Sequence, residues 1–298
     1  MAGIKEFASV ARAPFLLLPL TLVASGAAAA AWDNGFSWTR TLLALVGLVA
    51  LHMAVDILNE WSDMRTGIDL HTERTPFSGG SGTLPAGGMS SRVALIYGLV
   101  CAAVGLVVGL WFLREVRWVL LPIIIAGAVC VLAYTDVLAR LGIGEIAAGF
   151  GLGAGPVIGA ALVQDGSWSA AAVAAAIPAF FMTFNLLLLN EFPDEAADRK
   201  GGRRNLVILL GRRPAAWLYA IAGIATPIAI IVAVLLHVLP PMCLVAALPS
   251  LLLVKPLRWA FTEPDSSVPI PALGANVGWN LATNTMMALA LVVASFLD

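Results

Sequence analysis

The chain has 298 residues, 60% of them hydrophobic and 12% charged, with a mean hydropathy of +0.93 and a formal net charge of −1. A soluble domain carries roughly a quarter charged residues, so this composition excludes a water-soluble globular protein and describes an integral membrane protein. The net charge identifies no partner because the charges are segregated along the chain. The cysteines Cys101, Cys130 and Cys243 all lie inside apolar runs, so they form neither a disulfide framework nor a zinc spacing.

A spanning helix needs about 20 predominantly apolar residues. Nine stretches qualify, near 11–31, 41–60, 92–113, 117–135, 143–163, 169–191, 213–237, 240–260 and 274–297. The first follows Lys5 and Arg12 and ends in alanines, as a signal peptide does. Its spanning length and Glu6 in the basic lead favour a retained helix. The eighth is interrupted by Pro240, Pro241, Pro249 and Pro256. Lysine and arginine bias sets orientation. With a cytoplasmic N-terminus, only Arg40, Arg114 and Arg117 of the seventeen basic residues fall outside. The expected fold is therefore an all-α membrane bundle of about nine helices forming one domain over residues 1–298. Segments 61–91 and 192–212 are expected as cytoplasmic cap loops.

The second stretch ends in Asn59-Glu60-Trp61-Ser62-Asp63, running on to Asp69. The sixth ends in Asn190-Glu191-Phe192-Pro193-Asp194, running on to Asp198. Both carry N-E-x-x-D at the edge of an apolar run. This repetition predicts an internal duplication, with units near 1–135 and 136–260 forming two four-helix-like sets and a last helix added. On a helix, Asp56, Asn59, Glu60 and Asp63 share one face, as do Asn190, Asp194 and Asp198. Carboxylates beside a membrane are costly unless paired or metal-bound. Hard oxygen donors in this number suit Mg2+, which keeps several waters and shares its remaining positions with substrate phosphates. No histidine lies in either cluster, which argues against zinc or iron.

Basic residues follow both clusters: Arg65 and Arg74 after the first, Arg199, Lys200, Arg203 and Arg204 after the second. Acids to hold metal and cations to hold the remaining phosphate charge are what a diphosphate requires. The stretch Phe77-Ser78-Gly79-Gly80-Ser81-Gly82 is either a flexible loop or an anion nest of backbone amides. Asn276, Asn280 and Asn284 recur every four residues on the last helix, as interhelical glue or as cavity lining. Tyr134, Asp136 and Glu145 are interfacial anchors or site residues. His52, one turn before Asp56, is a core histidine or a base.

These segments resemble the UbiA-type superfamily of membrane prenyltransferases, whose first motif is N-D-x-x-D with a further Asp and whose second is an Asn followed by D-x-x-x-D. The stretch Asp194 to Leu206, ending at Leu210-Gly211, is similar to the 1,4-dihydroxy-2-naphthoate branch of menaquinone synthesis. So are Asn59 to Asp69 with Gly67, and Leu141-Gly142-Ile143-Gly144-Glu145. The resemblance covers roughly 50–211. Glu60 and Glu191 stand where many relatives carry Asp or Asn, and Arg203 and Asn205 replace the usual Lys and Thr.

The resemblance implies Mg2+ held by Asn59, Glu60, Asp63, Asp69, Asn190, Glu191, Asp194 and Asp198. It also implies a diphosphate held by Arg65, Arg74, Lys200, Arg203 and Arg204, with Asp63, Asp194 and Tyr134 catalytic. An isoprenoid would pass from its allylic diphosphate to an aromatic acceptor, expected to be 1,4-dihydroxy-2-naphthoate. The alternative is a terpene cyclase of the same superfamily, which needs no acceptor. The lipid bilayer is the other expected partner, and no nucleic acid is. Transport is disfavoured because both clusters lie on one membrane face, whereas alternating access uses a midplane site.

Overall fold

The computed structural model describes residues 2–33 and 35–297 and contains helices and loops without a strand among them. A short helix, Ile4–Val10, precedes a turn in which Arg12 adopts φ 47. The spanning elements are α1 (Leu17–Trp32), α2 (Trp38–Thr66), α3 (Ser91–Val116) and α4 (Leu121–Leu132). They continue with α5 (Gly144–Asp165), α6 (Ala170–Lys200), α7 (Arg212–Leu235), α8 (Pro241–Thr262) and α9 (Ile270–Ser295).

By length and composition, eight helical runs among the described residues can cross a membrane. One of them, Ser91–Leu132, has 42 residues. Left straight it would extend about 63 Å, twice the hydrocarbon thickness of about 30 Å. It breaks at Arg117, whose φ is 62, into α3 and α4. This break yields the nine segments that hydropathy predicts.

Helices α2 and α6 run past the predicted ends at 60 and 191, reaching Thr66 and Lys200. Segments 61–91 and 192–212 are therefore helical at their start. The ladder of backbone hydrogen bonds continues after the apolar sequence stops. Gly67, at φ 81, ends α2 in the left-handed conformation that a glycine takes without strain. Two prolines, Pro178 and Pro193, lie inside α6.

Packing follows small residues. Ala27 to Ala30 of α1 are all buried, where α1 packs between α5 and α9. At Gly26 the two backbones come so close that an added Cβ would collide with the Val157 carbonyl. Such close approach is how helices associate without a hydrophobic drive. Helix α2 packs on α3 and α6 on α7, while α9 contacts α1, α6 and α8. The ninth helix thus joins the two sets of four. Large apolar side chains remain exposed outside, among them Val107, Leu110, Ile221, Ile228, Leu248 and Leu251. A surface of this kind belongs in lipid.

Two irregular turns border the central cavity through Tyr134 and through Gly151 and Leu152. Tyr134–Leu138 forms a π-turn after α4. A second π-turn, Phe150–Ala154, interrupts α5, and the Thr183 hydroxyl of α6 donates to the Leu152 carbonyl at 3.1 Å.

The asparagine stripe acts chiefly as glue. Tyr219 Oη donates to Asn276 Oδ1 (3.0 Å), Asn276 Nδ2 to the Asn185 carbonyl (3.1 Å), and Asn185 Nδ2 to the Tyr219 carbonyl (2.9 Å). This closed circuit ties α6, α7 and α9 together. Asn280 additionally faces the central cavity.

Candidate active site

Helices α2 and α6 bring their acidic ends to the same side of the bundle, across a cavity of about 350 Å³. Its lining includes Asn59, Asp63 and Asp69 from the first segment and Asn190, Glu191, Asp194 and Asp198 from the second. Tyr134 and Arg203 line it too. Of the sequence-predicted residues, Glu60, Arg65, Arg74, Lys200 and Arg204 do not.

The reasons are local. Glu60 is 1% exposed and turned to the glycine-rich loop, where Ser81 donates its backbone N–H and its hydroxyl, both at 2.6 Å. Arg65 stands two residues after Asp63, on the other side of the helix. It lies over the Trp61 ring and pairs with Asp136 at 2.9 Å. Asp136 is an outer anchor: burial raises its pKa, but Ser62 and Arg65 together hold it below the usual carboxylate value. Arg74 donates to the Asp69 carbonyl at 2.9 Å. Lys200 and Arg204 are exposed.

Arg203 is the cation that joins the two halves. Its guanidinium donates to Asp63, to Asn59 Oδ1 at 2.7 Å and to Asp198 Oδ1 at 3.1 Å. Burial works against its charge, yet Asp63 and Asp198 outweigh that and hold its pKa above the ordinary arginine value. Asn59 Nδ2 donates to Asp63 Oδ2 (3.0 Å), and Asn205 Nδ2 to Asp198 Oδ2 (2.9 Å).

The loop 77–82 lends its amides to carboxylates of the site. Gly79 N–H donates to Asp194 Oδ2 at 3.2 Å. Gly79 and Gly80 sit at φ 82 and 70, a conformation that disfavours a side chain. Asp69 lies against Gly80, and its pKa is pushed up to about 6 by burial and by the charge of Glu60. Arg12 donates to the Phe77 carbonyl at 2.9 Å and lines the cavity. Sequence reasoning read Arg12 only as a topological charge, because its place here depends on the turn at φ 47. Asn205 and Glu145 also belong to the lining, and Glu145 Oε1 accepts from the Leu206 N–H at 2.5 Å.

Among the described residues, no three carboxylates, histidines or cysteines stand close enough to form a metal cluster by themselves. The donor set nevertheless fits magnesium. It is all oxygen, and Asp69 Oδ2, Glu191 Oε2 and Asp194 Oδ1 are buried without a partner. Mg2+ characteristically takes only one or two carboxylates and completes its shell with water and phosphate, so a preformed cage is not required.

A second, apolar cavity of about 410 Å³ lies between α2, α3, α4 and α5. Leu48, Leu51, Gly127, Val131 and Gly151 line both spaces. The cavity that carries the acidic groups thus adjoins an apolar one.

Known proteins share this architecture. A UbiA homolog from Aeropyrum pernix K1 superposes with a TM-score of 0.71 at 18% identity, over 93% of this chain and 97% of that one. A UbiA homolog from Archaeoglobus fulgidus bound to GPP and Mg2+ does so with 0.67 at 16%, over 97% and 99%. In sequence, the 1,4-dihydroxy-2-naphthoate octaprenyltransferase of Mycobacterium leprae (strain TN) is 27% identical over 299 residues, 97% of this chain and 98% of the relative. That of Mycobacterium tuberculosis (strain ATCC 25618 / H37Rv) is 28% identical over 238 residues, 76% and 78%. The profile of the UbiA prenyltransferase family matches residues 17–277, and the chain belongs to that family of membrane-embedded, prenyl-transferring enzymes.

Proposed function

We propose that this enzyme transfers an isoprenoid chain from an allylic diphosphate to a hydroxylated aromatic acceptor, 1,4-dihydroxy-2-naphthoate, with Mg2+ as cofactor. The observation that carries the reading is the convergence of both N-E-x-x-D segments on one cavity that adjoins an apolar one. The acceptor is supported by the names of the mycobacterial relatives. The donor and the metal are supported by the Archaeoglobus homolog bound to GPP and Mg2+.

In this reading Asn59, Asp63, Asp69, Asn190, Asp194 and Asp198 hold the metal, with Glu191 beside them. When bound, Mg2+ neutralises the diphosphate and stabilises it as a leaving group. Arg203 and Arg12 contribute fixed positive charge where the leaving group's negative charge grows. Tyr134 faces the same space. The apolar cavity takes the isoprenoid tail and keeps water from the allylic cation. The N-terminus and the loops over the site face the cytoplasm, in keeping with the loop distribution of basic residues.

The cavity also carries His52, Asp56, Thr183 and Asn280 below the acidic ends. Polar groups at that depth favour an aromatic acceptor over a cyclase, which needs aromatic and aliphatic walls. The test is purified protein with Mg2+ and geranylgeranyl diphosphate, with and without 1,4-dihydroxy-2-naphthoate, read by mass spectrometry. Prenylated naphthoquinol formed only with acceptor is the expected result. A hydrocarbon or terpene alcohol formed without acceptor overturns the transferase reading.

A further inference from the structure

His52 stands on α2 seven residues before Asn59, about 10 Å deeper along the helix axis at 1.5 Å per residue. It is 4% exposed and lines the cavity. Its Nε2 lies 3.6 Å from Asp56 Oδ2, and its Nδ1 has no hydrogen-bond partner. Asp56 Oδ2 has none either, because 3.6 Å is beyond hydrogen-bond reach. A histidine kept only for packing would have its ring nitrogens satisfied, since an unpartnered buried polar group costs stability. Here an acid and a base are held side by side at the wall of a cavity, each with a polar atom that lacks a hydrogen-bond partner. Leu48, Leu51 and Gly127, which also line the apolar cavity, stand at the same level. Arg12, which lines the same cavity, acts electrostatically on both.

We propose that His52 is the catalytic base for the acceptor and Asp56 its positioning residue, an assignment that rests on the aromatic-acceptor reading above. The acceptor ring lies between the pair and the allylic carbon. An acceptor hydroxyl gives its proton to a ring nitrogen of His52, and the O–H electron pair moves into the ring. A ring carbon forms the new bond to allylic C1 as the C1–O bond breaks, its electrons leaving with the diphosphate. Aromaticity returns when the attacked carbon loses its proton to the released diphosphate, or loses carbon dioxide where it bears a carboxylate. The ring oxygen then recovers its proton from His52. Asp56, 3.6 Å from the imidazole, stabilises its charged form electrostatically.

The experiment compares the full-length wild type with His52→Ala, His52→Asn and Asp56→Asn, with Mg2+, geranylgeranyl diphosphate and 1,4-dihydroxy-2-naphthoate. Two rates are read: prenylated product, and diphosphate released without acceptor. The expected result is an about 100-fold or greater loss of product in His52→Ala, in the range of general-base catalysis. Acceptor-free diphosphate release falls far less than product formation, and added imidazole restores part of the product rate. His52→Asn, nearly the same shape, shows the same split should the alanine variant fail to fold. Product at the wild-type rate, or equal loss of both activities, overturns the base assignment alone. A wild type that releases diphosphate but forms no prenylated arene overturns the acceptor reading and the assignment with it.

Discussion

Arg203 lies 140 residues beyond Asp63 in the chain, and its Nη2 donates to that carboxylate while its Nη1 holds Asp198. One guanidinium thereby neutralises one acid from each half of the duplicated pattern. The two clusters would otherwise face each other as like charges in a poorly solvated space. In the proposed function, metal and Arg203 would therefore act on the same carboxylates.

Arg203→Met removes the cation and leaves Asp63 and Asp198 buried without it. Breaking one side of a buried pair costs about 3–5 kcal/mol. We expect a clearly lower melting temperature in EDTA and a larger stabilisation by added Mg2+ than in the wild type, since a ligand that binds the folded state raises its stability. Thermal unfolding with and without Mg2+ checks this. Identical Mg2+ shifts in the two proteins would mean that Arg203 and the metal do not share ligands.

Asp63→Ala and Asp194→Ala should each abolish turnover, by at least about 100-fold, while the protein stays monodisperse in detergent. They come from different helices and line the same cavity. Mg2+ binding measured by calorimetry in the presence of a non-reactive diphosphate should fail in both. An active variant of either would remove the metal assignment.

The residues in the two segments were legible from sequence because N-E-x-x-D is a local pattern, and helical spacing says which members share a face. The fate of Glu60 was not legible. Its partner is Ser81, 21 residues further on, and only the fold of the glycine-rich loop brings them together. Proximity in sequence points Arg65 to the phosphate, but an offset of two from Asp63 turns it toward Trp61 and Asp136. Lys200 and Arg204 flank Arg203 but are exposed; which of three neighbouring cations points inward depends on the turn at Gly201-Gly202 that follows α6. The nine-segment count was legible because hydropathy reports burial in lipid directly. Helix ends were not, since backbone hydrogen bonding carries α2 and α6 beyond the apolar sequence.

Glu60→Ala tests whether that carboxylate serves the loop. Two hydrogen bonds from Ser81 to the Glu60 carboxyl are lost, each worth about 1 kcal/mol. Hydrogen exchange should rise sharply at residues 77–83, and KM for the donor should increase while Mg2+ affinity stays near wild type. A loss of Mg2+ binding as complete as in Asp63→Ala would instead make Glu60 a ligand.

Gly127 offers a test of the tail path. It lines both cavities, and a Cβ built there meets nothing within 4 Å. The Cβ of a leucine therefore meets no neighbouring atom, and the substitution also raises helix propensity in α4 by up to about 1 kcal/mol. Because Gly127 borders both spaces, the added side chain is expected to narrow the passage between them. A short donor such as dimethylallyl diphosphate has little tail to thread, so its kcat/KM should change little. Geranylgeranyl diphosphate must pass the constriction, and its kcat/KM should fall by roughly tenfold or more, a discrimination of about 1.4 kcal/mol. Rates measured across donors of increasing length check this. An equal loss for every donor would show that the leucine disturbs the site as a whole, and the apolar cavity would then no longer be the path of the chain.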